Sequence, residues 1–493
     1  MSTTTPPIPV DPWEQRRWDH TRLRRRLISG EWRADLQRRV IQAVGPTRAE
    51  AWGVGSGLAY AGGGTAYGGV DLSSNILMQV SGQLACMYDR PPSVAHPDEI
   101  SGEVMAATLE RAGWASLMQR IQRDTLALRE MMIRVDVALD SAADLRVSLR
   151  PVYPDLVVGA ATPARPDELA SVREARLRAD PLTGEHRWTW DALDVRDPAH
   201  PSYRVIDAVT GDDVTLVYLG ADLSGAAYPY RDSDGRPVLP YVLWHASRCP
   251  GLWDAWAGVE LVEGTLQAGV HWSHLAHAMT QAAHPQRYAV GVELPNSHVT
   301  DGEGRARHEV VADPATVLML QPSPDAPGGM TIGQWQPGAD IGAMTDAVER
   351  YERRVAAFAG VSASDLLRVS GDPRSGYALM ISREGKREAS KRFEPVFRRS
   401  DEQLCRVIAV LVNRLSGTRL AEGGYRIGYQ PVPLSADERK AEVDETLELL
   451  DRGMLTRVEA MMRVHGITRS AAEGRLAVTS LEGYHGRAGE AAG

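Results

Sequence analysis

The stretch GDPRSGYALMISREGKREASKRFEPVFRRSDEQL, residues 371–404, decides how the chain folds. It leaves a polar loop, 361–376, and from Tyr377 carries helix-forming residues without a break to about Leu415. At ~1.5 Å per residue such a helix is roughly 60 Å long. Pro395 stands inside it. Proline has no N–H to give and its ring meets the carbonyl one turn back, so a kink is expected there. From just before the proline, Phe393, Val396, Phe397, Leu404, Val407, Ile408 and Leu411 fall broadly on one side and predict a buried face. Arg383, Lys386, Arg387, Lys391, Arg392, Arg398 and Arg399 interleave with Glu384, Glu388 and Glu394. That pattern suits a salt-laced face or subunit contacts as well as it suits nucleic-acid contact by Arg383, Lys386 and Arg387.

Upstream lie two further helical stretches, 257–284, ended by Pro285, and about 339–359, with Gly360 as its C-terminal cap. Between them, QRYAVGVELP, HEVVADPATVLMLQP and GGMTIGQWQP are rich in Pro, Gly and β-formers. The order predicts a two-helix stalk with a small β-rich tip. His271, His274 and His277 recur every three residues on the first stalk helix, with His284 beyond them. Successive steps of three drift about 60° around a helix, so they share no tight face, and no glutamate stands among them as in HExxH. They are expected to face neighbouring helices or an aqueous channel and to hold no metal. On a channel wall they would titrate near pH ~6.5.

Farther out, 11–44 reads as helical, with Trp13, Leu23, Leu27, Trp32 and Leu36 among Arg16, Arg17, Arg22, Arg24, Arg25 and Arg26. The basic run predicts a solvated face, with nucleic acid or an acidic neighbour as the alternative. GVGSGLAYAGGGTAYGG (53–69) lacks the Lys of a phosphate-binding loop and reads as a flexible loop. Residues 72–90 and 102–140 read as helices, the second capped by Asp98 or Ser101. Short alternating runs follow at 145–158, 186–195, 202–208 and 213–220, and SDGRPVLPYVLWHASRCPG (233–251) closes this β-rich region. Downstream, GYRIGYQPVP (424–433) reads as a strand, with helices over 436–455 and 456–466 around Gly453.

The 493 residues suffice for several domains and a sizeable core, and 43% hydrophobic with 24% charged residues is ordinary globular composition. A net charge of -9 argues against a general DNA gripper, because phosphate neutralisation drives that binding. It permits a conduit through which DNA slides. Three scattered cysteines suggest neither a disulfide framework nor a zinc site. No apolar run approaches the ~20 residues of a membrane span, and the start has no apolar signal core. A cytoplasmic protein, or one assembled there, is expected. No GxSxG, Walker A or Cys/His pair is visible, so no catalytic residue and no cofactor is assigned.

The element order, with GDPRSGYALMISREGKREASKRFEPVFRRSDEQL (371–404), GYRIGYQPVPLSADERKAEVDETLELLDRGMLTRVEAMMRVHGI (424–467) and GRPVLPYVLWHASRCPGLWDAW (235–256), resembles the portal proteins of tailed bacteriophages or gene transfer agents. The resemblance implies an α+β, portal-like fold. Residues 1–256 would be the N-terminal part of a wing, helices first and then β-rich. Stem helices would span 257–284 and 339–360, a small β-rich clip 285–338, and a tunnel loop 361–376. The long kinked helix and a returning wing strand would take 377–435, and a helical crown 436–493.

It implies a homo-oligomeric ring of about twelve copies at one capsid vertex of a virion, assembled in the host cytoplasm. Double-stranded DNA would pass through the ring during packaging and ejection. A large terminase (the packaging ATPase) and a head-tail adaptor would dock on it, with a major capsid or scaffolding protein around it and no membrane partner. Arg368, Ser370, Asp372 and Arg374 would approach the DNA from the tunnel loop. Asn296, His298, Asp301, Arg305 and Arg307 would serve docking at the clip. The alternatives are another phage structural, adaptor or scaffold protein, which ring images would separate, and a nucleic-acid enzyme, which ATP hydrolysis or DNA cutting would reveal.

Overall fold

The computed structural model describes residues 11–51, 54, 69–139, 145–181, 183–219, 228–283, 286–290, 292–293, 321–322, 331–335, 340–361, 376–417, 419–430, 436–465 and 472–477. It is an α+β chain. The N-terminal part opens with α1 (Pro12–Ser29), α2 (Arg33–Val44), α3 (Pro46–Ala51) and α4 (Ile76–Leu84). Asp11 caps α1 by accepting from the Trp13 amide, and Gly30, at φ 83°, ends it. The single helical stretch expected over 11–44 is therefore broken at the residue that can turn left-handed without a Cβ clash. Strand β1 (Ser93–Ala95) follows, then α5 (Glu99–Arg111), capped by Asp98, and α6 (Trp114–Leu128).

The expected helix over 102–140 needs correction. Gly113 at φ 67° separates α5 from α6, and Glu130–Leu139 is strand β2. Met131, Ile133 and Val135 alternate with polar Arg134 and Asp136, a period of two that packs on a sheet and not on a helix stripe. Likewise only Ile76–Leu84 of the expected 72–90 helix is helical.

Six more strands join β2 in two antiparallel sheets: β3 (Leu145–Val152), β4 (Val157–Thr162), β5 (Arg165–Ala179), β6 (His186–Asp194), β7 (Ser202–Asp207) and, after the short helix α7 (Thr215–Leu219), β8 (Tyr241–His245). One sheet has the order β3-β2-β8 and the other β4-β5-β6-β7. Within the run 213–220, expected as a strand, Thr215–Leu219 is the helix α7. Asp213 accepts from the Thr215 amide at 3.0 Å and so starts a helical turn. Buried charges join the sheets. Arg134 on β2 meets Asp191 on β6 at 2.6 Å, Arg150 on β3 grips Glu174 on β5 through two bonds of 2.6 and 2.8 Å, and the Tyr241 hydroxyl donates to Glu174 at 2.8 Å. Removing one partner would leave a buried charge uncompensated, the costly case for such pairs.

The remainder carries α8 (Val259–Ala283), strands β9 (Gln286–Val290), β10 (Val292–Glu293), β11 (Gln321–Pro322) and β12 (Thr331–Trp335), then α9 (Ile341–Phe358) and α10 (Gly376–Ser416). Strand β13 (Arg426–Gly428) and helices α11 (Ala436–Asp451) and α12 (Arg457–His465) complete it. The 41-residue α10 keeps Pro395 inside it and lays Phe393, Phe397, Leu404, Val407, Ile408 and Leu411 in the main core, with Val396 only partly buried. It crosses β2 and β8, where the Ser400 hydroxyl donates to the Leu243 carbonyl at 2.9 Å. Strand β13 then pairs antiparallel with β1, tying the late part of the chain to its beginning.

The basic run of α1 is also corrected. Arg17 is fully buried, donates to the Pro154 and Val157 carbonyls and stacks on Trp253, while Arg24 donates to the Ala127 and Ala257 carbonyls at 2.7 Å each. Arg26 pairs with Asp35, and Arg22 and Arg25 with Asp155. Five guanidinium donors per side chain let this helix satisfy carbonyl ends from three other segments. It is structural cement, where a solvated face was expected.

Candidate functional site

Helices α8 and α9 pack antiparallel and closely because Gly264 leaves room for Val355. A Cβ at Gly264 would stand 2.5 Å from a Val355 methyl. Higher up, the Trp272 indole donates to Glu352 at 2.6 Å, Ser74 also bonds Glu352, and the His271 ring meets Tyr351 edge-on at 5.2 Å. The lower part of α8 is set into the body. Gly269 seats Leu36 and Trp32, the Leu77 amide donates to the Thr265 hydroxyl at 3.0 Å, and the Asp71 amide to the Ser273 hydroxyl at 2.9 Å. From Ala276 to Thr280 every residue is at least partly exposed. Strand β9 continues α8 and pairs with β12 in register from Gln286↔Trp335 to Val290↔Thr331, returning the chain to α9. Two helices thus leave the body together and are joined by paired strands.

The three histidines of α8 sit half-buried along this stalk. Burial lowers all three pKa values, and the positive charges of its two neighbours lower His274 further. They favour the neutral ring. Among the described residues, no group of three His, Cys, Asp or Glu is placed to hold a metal ion.

At the foot of the stalk, α8, α9 and α10 converge around a cavity of about 590 Å³. Val80, Leu84, Leu261, Val355 and Phe393 wall it, and Arg129, Arg248, Arg392 and Glu260 stand among its lining. Concave, mainly apolar spaces of this size with a few polar or charged groups can enclose apolar groups from outside the chain. Phe358, on its edge, is 80% exposed. Pro395 lines this cavity and a second one of about 270 Å³ that also touches His245, Arg399 and Gln403. Both spaces adjoin the turn where the hydrogen-bond ladder of α10 lacks a donor.

Of the residues singled out from sequence, Lys386 and Arg387 lie half-buried on α10, and the Cys86 thiol donates to the Lys386 carbonyl at 3.4 Å. Arg383 lies on the same helix, its side chain outside the described residues. Arg398 pairs with Glu394, and Arg399 with Asp167 and Glu168 at 2.6 and 2.7 Å. These two belong to the salt-laced face of the helix. Arg368, Ser370, Asp372 and Arg374, the docking residues Asn296, His298, Asp301, Arg305 and Arg307, and His284 lie outside the described residues, as does most of the glycine-rich 53–69 segment. Sequence reasoning missed the foot cavity. The signal was the distribution of phenylalanine: all three in the chain, Phe358, Phe393 and Phe397, lie at or one turn from this junction.

The strongly shifted carboxyls are interior. Burial pushes Asp401 up to about 7 against hydrogen bonds from Tyr429, Tyr88 and Trp244. Burial likewise pushes Glu130 up to about 7 while the Asp254 amide donates to it. Both bind neighbouring elements of the fold. No helix among the described residues is long and apolar enough to cross a membrane.

No family model and no curated protein matches this chain. Among solved structures, it is similar to a chain in the virion of a native gene transfer agent particle, at 12% identity and a TM-score of 0.38, over 79% of this chain and 88% of that one. It is also similar to a chain in the neck of an empty gene transfer agent particle, at 14% identity and a TM-score of 0.37, with the same two coverages.

Proposed function

We propose that this chain is a portal-type structural protein: many copies form a ring whose open axis conducts double-stranded DNA. The observation that carries the proposal is the stalk. Two antiparallel helices, set into the body at one end and joined by paired strands at the other, stand beside a 41-residue helix that contains a proline. In a ring these pairs line the axis, the joining strands form the docking end for a packaging ATPase and later a head-tail adaptor, and 361–376 approaches the DNA. The chain carries out no catalysis; force comes from the docked motor. A ring of about twelve copies, set in a capsid vertex among capsid or scaffolding subunits, is the assembly proposed.

The heterologous contact of a cyclic ring closes only if the rotation per subunit divides the circle. Native mass spectrometry and negative-stain images of the purified full chain test the proposal directly. Closed rings with a central hole are expected. A monodisperse monomer at micromolar concentration, or ATP hydrolysis abolished by a single carboxylate change, would remove it.

A further inference from the structure

Two surface features are of opposite character. The first is the foot cavity of about 590 Å³, edged by exposed Phe358. Arg248 and Arg392 line it, and neither forms an ion pair among the described residues. The second is the segment 209–217 between β7 and α7. Val209 is 85% exposed and Leu216 60%, with Asp212 and Asp213 exposed between them. Hydrogen bonds from the Thr215 hydroxyl and amide, with a smaller contribution from nearby Arg204, hold the Asp213 carboxyl below the usual carboxylate range, and Asp212 forms no ion pair among the described residues.

The two features lie at opposite ends of β5. Glu168 and Arg248 line one cavity beside Pro395, whereas Arg178 stands over the Tyr218 ring at 5.6 Å. Ten residues of strand separate Glu168 from Arg178, about 33 Å at ~3.3 Å per residue. One chain therefore cannot bring its own two features together. Distant, complementary, non-identical patches are what a head-to-tail contact requires.

We propose that the two features are the halves of one contact between copies of this chain. Residues 209–217 of one copy seat on the foot of the next, Val209 and Leu216 entering the apolar cavity and Asp212 and Asp213 meeting Arg248 and Arg392. This contact rests on the ring reading and names the surfaces that close the ring. It places the proline-bearing stretch of α10 directly against a neighbouring subunit.

Charge reversal tests it. The variants R248E/R392E and D212R/V217R change exposed residues and leave Asp213, which starts α7, in place, and circular dichroism spectra like the wild type are expected. Each alone faces like charge across the contact, so native mass should drop from ring to monomer. In an equimolar mixture the reversed patches face each other and the untouched patches face each other, so even-numbered rings should return. A chain carrying R248C and D212C should, on oxidation, give a ladder of disulfide-linked oligomers on denaturing gels that reductant removes. Wild-type rings combined with unperturbed assembly of either variant, or with no ladder, would discard this contact and leave the ring reading standing. A monomeric wild type would discard both.

Discussion

Asp401 is fully buried, and among the described residues no basic side chain is bonded to it. Its carboxylate accepts from Tyr88 and Tyr429 at 2.6 Å and from Trp244 at 3.0 Å, so one residue of α10 holds the segment after α4, strand β8 and the exit of β13. Burial outweighs these bonds and sets its pKa at about 7. Because that value lies above the ordinary 3.8, the folded state holds the proton more tightly than the unfolded one. The contribution is fully present below about pH 4 and is lost as pH rises towards 7. Asp401→Asn leaves one oxygen for three donors and should cost about 2–4 kcal/mol. Urea midpoints measured from pH 4 to 8 should show a shallower decline for the variant than for the wild type. Parallel curves would remove Asp401 as the titrating group.

Arg24 makes the same point about burial. Its value comes from the carbonyls of Ala127 and Ala257, which only the tertiary fold brings together. In the sequence it was one arginine among six, indistinguishable from a surface residue. A lysine has no planar fork to span both carbonyls, so Arg24→Lys should lower stability by about 1–3 kcal/mol in equilibrium unfolding. A change below the error of the measurement would make the two bonds incidental.

At the level of elements, the long helix was legible because 41 residues of strong helical pattern outweigh one proline, and the stalk because two apolar-striped segments flank a β-rich insertion. What failed was local. The continuous apolar character of 102–140 hid the change of period at Glu130, and the β-branched residues of 213–220 concealed a turn that Asp213 nucleates. Strand β5, the longest, was not singled out, because its polar residues spend their charge in buried pairs such as Glu174 with Arg150.

The stalk's closeness depends on one missing side chain, which gives a sharp test. Gly264→Ala adds helix propensity worth about 1 kcal/mol, yet its methyl would sit 2.5 Å from Val355. Overpacking should win, for a net loss of about 1–2 kcal/mol. Adding Val355→Ala should recover part of that loss, a coupling that a double-mutant cycle isolates. Independent, additive losses would mean that the two helices do not bear on each other at that point.

For the whole molecule, the decisive quantity is charge. A net charge of -9 over 493 residues is a poor basis for gripping duplex DNA, and the arginines that looked available on α1 and late on α10 are committed to carbonyls and carboxylates of the chain itself. In the proposed ring, an acidic wall would keep DNA centred by repulsion, and a few exchangeable contacts would suffice to guide it. Such a conduit binds DNA weakly and with a shallow salt dependence. Each neutralised phosphate contributes about -0.9 to the slope of log K against log salt. The assembled ring as a whole should therefore show a slope of magnitude below about 3 for linear duplex, corresponding to about three contacts or fewer. Replacing Arg368 and Arg374 together by Ala should flatten it further and lower retained DNA in packaged particles while rings still form. A slope near that of a sequence-specific repressor, about -10, would mean that the protein clamps DNA, and sliding through it would no longer be tenable. Loss of rings in the double variant would instead make those two arginines part of the contact between subunits.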